Sequence, residues 1–233
     1  MEHTYVPALP DPRTFGSAVP PLLDLTGFGP ADNEDRAAVA AVAAEPGAVA
    51  LWRSWRLSPA SAPERVYVVE TRGAPPAFEA EVYAPGEALP ASTRAARNAG
   101  ALLWTAHPVR PIRVARVFDS GGGFAAGHPR LGAGERERVA GYLEAGAAVL
   151  GTEGRLPDVV EPGRGEVVPM SYRTDGQWLW TESVGYYLRA YGLAPEPDLL
   201  AHVLAAGERP VVDAAGEHRA LAVLFGSHAL VAQ

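Results

Sequence analysis

The chain has 233 residues, with 20 basic and 27 acidic side chains, a formal charge of −7 and an isoelectric point near 5.4. That balance argues against a general nucleic-acid or anionic-membrane binder, because both need a basic surface to displace counterions. With 48% hydrophobic and 20% charged residues the chain can bury one or two cores, and without cysteine it has no disulfide, thiolate metal site or cysteine nucleophile.

No apolar run approaches the roughly eighteen residues of a membrane span, and Met1-Glu2-His3-Thr4 lacks the basic start and apolar stretch of a signal peptide. A soluble, cytoplasmic protein is therefore expected. Every basic residue is an arginine, and alanine, glycine and proline abound, as in a GC-rich, actinobacterial type of genome. Because the guanidinium fork pairs readily with any carboxylate, a single arginine is weak indication of a site.

The first thirty residues are rich in proline but carry Val6, Leu9, Phe15, Leu22, Leu23, Leu25 and Phe28, which predicts an extended arm packed on the body. Asp32 or Asn33 can cap a helix running to Glu45, with Glu34 and Asp35 in its first turn and Pro46-Gly47 stopping it. Runs rich in Val, Trp and Tyr follow at 49–57, 66–71, 78–83, 102–105 and 112–118, and the turns between them suggest an antiparallel sheet. The spacing of 65–71 and 77–83 around Arg72-Gly73-Ala74-Pro75-Pro76 fits a hairpin, and 92–98 fits one or two helical turns. Helical patterns recur at 134–150, 182–191, 197–206 and 214–225, with a loop between 150 and 165.

Strands first and helices after predict an α+β fold, with an antiparallel sheet in the N-terminal half and a mainly helical C-terminal third. The expected organisation is a sheet-containing body over 1–150 with its extended arm, and a helical lobe over 166–233 packed on it, the two forming either separate units or one composite domain.

The densest feature runs from Val167 to Glu182. Asp175-Gly176 predicts a type I′ turn, and alternation after it places Trp178 and Trp180 on one face of a short strand. Tyr172 and Arg173 lie across the turn, where the guanidinium can stack on an indole or fork onto a carboxylate. Tyr172, Arg173, Asp175, Trp178 and Trp180 thus form a candidate surface for a partner or ligand. The plainer alternative has the tryptophans covering the sheet while Arg173 and Asp175 hold the turn as a local ion pair.

Residues 169–203 carry Tyr172-Arg173-Thr174-Asp175-Gly176, Trp178-x-Trp180, Glu182, Tyr186-Tyr187-Leu188, Gly192 and the stretch from Pro195 to His202. This segment, about a seventh of the chain, resembles the end of actinobacterial proteins associated with immunity to secreted NAD-glycohydrolase or related polymorphic toxins. The resemblance implies a binding protein, and no toxin-contact residue transfers with it.

A second feature is the glycine-rich loop from Asp119 to Pro129, between a predicted strand and a predicted helix. Such a topology can cradle phosphate, but the loop matches neither the dinucleotide fingerprint nor the P-loop, and a surface excursion is the plainer account. If the chain is an enzyme, Asp119, Ser120 and His128 are the groups able to move protons. The six histidines form no metal-binding spacing, so no metal and no cofactor are expected. Glu70, Glu79 and Glu81 can share a strand face as a negative patch, with Arg110, Arg113 and Arg116 as their partners.

The expected function is a non-catalytic protein-binding module of the immunity type, which meets another protein, such as a basic toxin, and neither nucleic acid nor membrane. The alternative is a small-molecule-binding protein or enzyme whose pocket lies between the 119–129 loop and the 172–180 turn; a scaffold subunit is a third reading.

Overall fold

The proline-rich start of the chain contributes two short strands, β1 (Thr4–Val6) and β2 (Leu23–Asp24), to a sheet it shares with residues up to 105. The computed structural model describes residues 3–9, 19–30, 32–119, 121–207 and 211–226, so Phe15, Ser120, Ser227 and His228 lie outside the described residues. Helix α1 (Asn33–Ala44) starts where predicted, because the Asp32 carboxylate accepts from the Asp35 amide at 2.8 Å. Strands β3 (Ala48–Ser58) and β4 (Ser61–Thr71) form a long antiparallel hairpin that turns at Pro59-Ala60. Then come β5 (Glu81–Tyr83), α2 (Ala91–Asn98) and β6 (Ala101–Thr105). The strand order is β2-β6-β3-β4-β5, with β1 also on β3.

The sheet is mixed rather than antiparallel, since β2 runs parallel to β6 and β5 parallel to β4. The hairpin expected between 65–71 and 77–83 is absent for a steric reason. Gly73 is pressed against the Pro46-Gly47 turn, where an added Cβ would lie 2.1 Å from the Pro46 carbonyl oxygen. Pro75 and Pro76 then carry the chain away before β5 joins parallel to β4. Glu70 is buried while Glu79 falls outside the strand, so the three glutamates share no face.

Beneath this sheet Leu23, Leu25, Ala38, Val42, Leu51, Tyr67, Val69 and Leu103 form one core. A charged cluster closes its end. The fully buried Asp35 carboxylate accepts from Arg53 at 3.3 Å, from Arg65 at 2.7 Å and from the Tyr67 hydroxyl at 2.9 Å. Hydrogen bonds from Arg65 hold the Asp32 carboxyl well below the usual carboxylate range, against the opposing effect of burial.

The second half comprises β7 (Arg113–Val114), α3 (Ala133–Ala145), β8 (Ala147–Leu150), β9 (Arg155–Pro157), β10 (Glu166–Pro169), β11 (Tyr172–Thr174), β12 (Trp178–Thr181), α4 (Glu182–Tyr191), α5 (Pro197–Ala206) and α6 (Ala214–Leu224). A four-stranded sheet runs β7-β12-β11-β8, and β9 and β10 make a separate hairpin. The predicted helix over 134–150 ends early because Gly146 sits under an indole: a Cβ there would lie 2.5 Å from the Trp180 ring. Residues 147–150 therefore become β8, and the C-terminal third carries three strands as well as helices. The fold is α+β. Internal contacts group Met1–Arg110 with Leu221–Gln233, and Pro111–Ala220 as a second compact unit; the break expected between 150 and 166 falls inside the latter.

Replacing Asp35 by Asn leaves two guanidinium groups facing a neutral amide in a dry site. The variant should lose roughly 3–5 kcal/mol of unfolding free energy, read from urea denaturation at neutral pH; a loss near zero would show that the cluster contributes nothing net.

Candidate functional site

Strand β12 is an interior strand of its sheet, between β7 and β11, and both of its faces are covered. Trp178 and Trp180 do share a face, but it is the inner one: the rings are 3% and 1% exposed and pack with Val139, Leu143, Leu188 and Leu199. Leu179, on the opposite face, is fully buried too. The outward aromatic platform expected from the alternation is therefore overturned. Period-two patterning shows which residues share a face, not which face meets water.

The turn before β12 also differs from expectation. No described residue other than glycine has positive φ, so the type I′ turn is not formed; only Gly176 does, at +85°. Asp175 instead closes a four-residue loop, its Oδ1 accepting from the amides of Gln177 at 2.9 Å and Trp178 at 2.7 Å. Its Oδ2 accepts from the Tyr142 hydroxyl at 2.8 Å and lies 2.5 Å from His202 Nε2. Asp175 thereby ties the loop to α3 and α5 and has no lone pair turned to a partner. Arg173 does not pair with it. Tyr172 lies half-buried in β11.

Register places Arg173 directly opposite Trp180, and both line a concave site. A cavity of about 450 Å³ opens between α3, β12 and α4. Leu143, Pro169, Trp180, Gly185 and Ala190 form its apolar lining, and Arg173, Glu182, Glu144 and Arg189 its polar rim. The α4 contribution comes from positions 182, 185, 186, 189 and 190, one helical face at spacings of three and four, while Ser183, Val184, Tyr187 and Leu188 fill the opposite, buried face. The helix predicted at 182–191 is α4, and Gly185 and Arg189 share the Glu182 face at spacings of three and seven residues.

Charges on the rim are paired unequally. Arg189 donates through Nε and Nη2 to the two oxygens of Glu144 and through Nη1 to Glu137 at 2.9 Å, so each of its nitrogens and both oxygens of Glu144 carry a bond. Those bonds lower the Glu144 carboxyl below its ordinary range and raise the Arg189 guanidinium. Arg173 donates through Nε to Glu182 Oε1 at 2.7 Å and through Nη1 to the carbonyls of Glu144 and Gly146 at 3.1 and 3.0 Å. Arg173 Nη2 and Glu182 Oε2 enter no hydrogen bond with the described residues.

The glycine-rich loop is a separate place. Asp119 and His128 do come together: Nδ1 of the ring lies 2.9 Å from Asp119 Oδ2, while Nε2 lies 2.9 Å from the Ala194 carbonyl oxygen. With an acceptor at each ring nitrogen, neither is left to take a proton from a substrate. The amide of Ala125 and the His128 ring hold the Asp119 carboxyl below its usual range. Phe124 and Tyr187 pack beside the ring, and a hollow of about 230 Å³ there takes no residue of 172–180, just as the larger cavity takes none of 119–129. The expected single pocket between loop and turn is thus two hollows.

Other sequence candidates have structural roles. In place of the expected glutamates, Arg113 pairs with Asp198 and lies over the Trp178 ring at 4.2 Å, and Arg116 pairs with Glu196 at 3.1 Å. A buried carboxylate the sequence reading missed is Asp158, which accepts from Tyr186 at 2.7 Å, from Tyr191, and from the amides of Val160 and Glu161. Burial alone raises its pKa, but those hydroxyls and amides outweigh it and leave the carboxyl lowered, while burial raises Tyr186. Among the described residues no three His, Asp or Glu side chains gather as a cation cage, and no helix is long and apolar enough to cross a membrane.

No family model, curated protein or solved structure matches this chain.

Two measurements check this geometry. Trp178→Ala should destabilise the fold by about 3–5 kcal/mol, as for a core aromatic, rather than leave it intact. Asp158→Asn should cost roughly 2 kcal/mol or more at neutral pH. Because the folded-state pKa of Asp158 is depressed, the wild type holds this stability above the unfolded carboxylate value and loses it on acidification. The gap between the two proteins should therefore close as pH falls below about 4, and a gap independent of pH would rule out the carboxylate as its source.

Proposed function

We propose that the chain is a non-catalytic protein-binding module, of the immunity type to which residues 169–203 bear resemblance, and that the cavity between α3, β12 and α4 is its recognition point. One observation carries this reading: an apolar hollow of about 450 Å³ ringed by arginine–glutamate pairs, with no serine, lysine or histidine in its lining. An apolar centre inside a charged rim is the anatomy of an interface hot spot, where an anchor side chain is desolvated and the rim excludes water. The lining holds no serine or histidine that could pair as nucleophile and base, which favours binding over turnover.

The partner is a protein that inserts an apolar anchor, and a net charge of −7 favours one with a basic surface. The cavity volume also lies within the range of small-molecule sites, which keeps a ligand-binding protein as the second reading.

Gly185 supplies the test. An added Cβ at this position meets nothing within 4 Å, so a side chain can begin there without a clash. Mixed with the product of the adjoining reading frame, the wild type should form a complex in isothermal titration and Gly185→Phe should lose at least about tenfold in affinity, with an unchanged melting transition. A complex equally tight with Gly185→Phe, or none with the wild type, would defeat the proposal.

A further inference from the structure

We infer that the cavity reads a residue of an extended peptide segment, taking its apolar side chain over Gly185 and its main-chain amide against Arg173 and Glu182. This rests on the binding reading above and names the chemistry of the occupant.

Three features point to a peptide rather than a simple apolar group. The first is the unused pair of polar atoms. Every nitrogen of Arg189 and both oxygens of Glu144 carry a bond, whereas among the described residues Arg173 Nη2 has no acceptor and Glu182 Oε2 no donor, both on residues that line the same cavity. A peptide unit offers the matching set, a carbonyl for the guanidinium and an N–H for the carboxylate.

The second is charge. The two spare atoms belong to one ion pair, joined at 2.7 Å, so the site is dipolar and close to neutral. A lone anion would meet Glu182 and a lone cation Arg173, but the peptide dipole meets each with its opposite end. The third is space. Leu143, Pro169, Trp180 and Ala190 line an apolar hollow whose α4 wall is open at Gly185, where no neighbouring atom requires a glycine. Glycine in a helix interior is unfavourable relative to alanine, so packing within the fold does not account for it, while an occupant needing that depth does.

The experiment follows amide chemical shifts of the intact chain during titration with the capped tripeptide Ac-Ala-Leu-Ala-NH2. Gly185 should shift saturably, and methylating the leucine nitrogen of the peptide should weaken binding about tenfold by removing the donor to Glu182. Arginine or glutamate in place of leucine should bind more weakly, and Gly185→Phe should abolish the shifts elsewhere around the cavity. Equal affinity of the N-methylated peptide, equal affinity of free leucine or isoamyl alcohol, or no saturable shift at Gly185 would overturn the inference. If the partner complex persists and depends on Gly185 while these peptides fail, the amide assignment alone is lost; a complex indifferent to Gly185→Phe removes the binding site itself.

Discussion

Trp178 and Trp180 under α3, α4 and α5 are the contact on which the rest of the second unit depends. An indole removes about 200 Å² from water, so each ring contributes on the order of 5 kcal/mol as an upper bound. That burial needs a strand covered on both faces, and it requires a glycine at 146, where any side chain would strike the Trp180 ring. It also leaves Trp180 with one edge at the cavity, because the α4 residue facing that side is Gly185. The hollow is thus a consequence of how one strand was packed, and its floor is as rigid as the core behind it.

An arginine-only basic complement shapes what surrounds that core. Each guanidinium can satisfy several acceptors in a plane, and the structure uses this where lysine would serve less well. Arg53 and Arg65 converge on the buried Asp35, and Arg189 spans two glutamates. Arg113 covers the outer side of an indole. Surface pairs of this kind add little stability singly. The incomplete pair, Arg173 with Glu182, stands apart because its spare atoms lie on residues that line the cavity.

Local signals carried much of the fold. The Asp32 cap, the Pro46-Gly47 stop, the helices at 91–98, 182–191, 197–206 and 214–224, and the strands around 49–57 and 101–105 are legible because each rests on chemistry within a few residues. Pairing sense was not legible: β5 joins β4 in parallel because Gly73 and two prolines redirect the chain, a tertiary constraint with no period of its own. Helix α3 ends at Gly146 for the sake of a ring more than thirty residues later. At the site, the kinship of Arg173 and Trp180 followed from the turn, but their setting did not. Alternation could not show that β12 lies inside its sheet, and Asp158 stood in a stretch read only as loop.

The face of α4 shows how a fold and a site can be separated by residue. Positions 183, 184, 187 and 188 hold the helix to the core and would tolerate little change. Positions 182, 185, 186, 189 and 190 face the cavity, and there Gly185 sits in a helix interior that alanine would stabilise better. Stability alone would fill such a hollow, since added apolar contact over open space strengthens a domain. The proposed recognition point rests on this face because the open volume at Gly185 and the polar atoms of Arg173 and Glu182 that bond to no described residue belong to the lining of the same cavity.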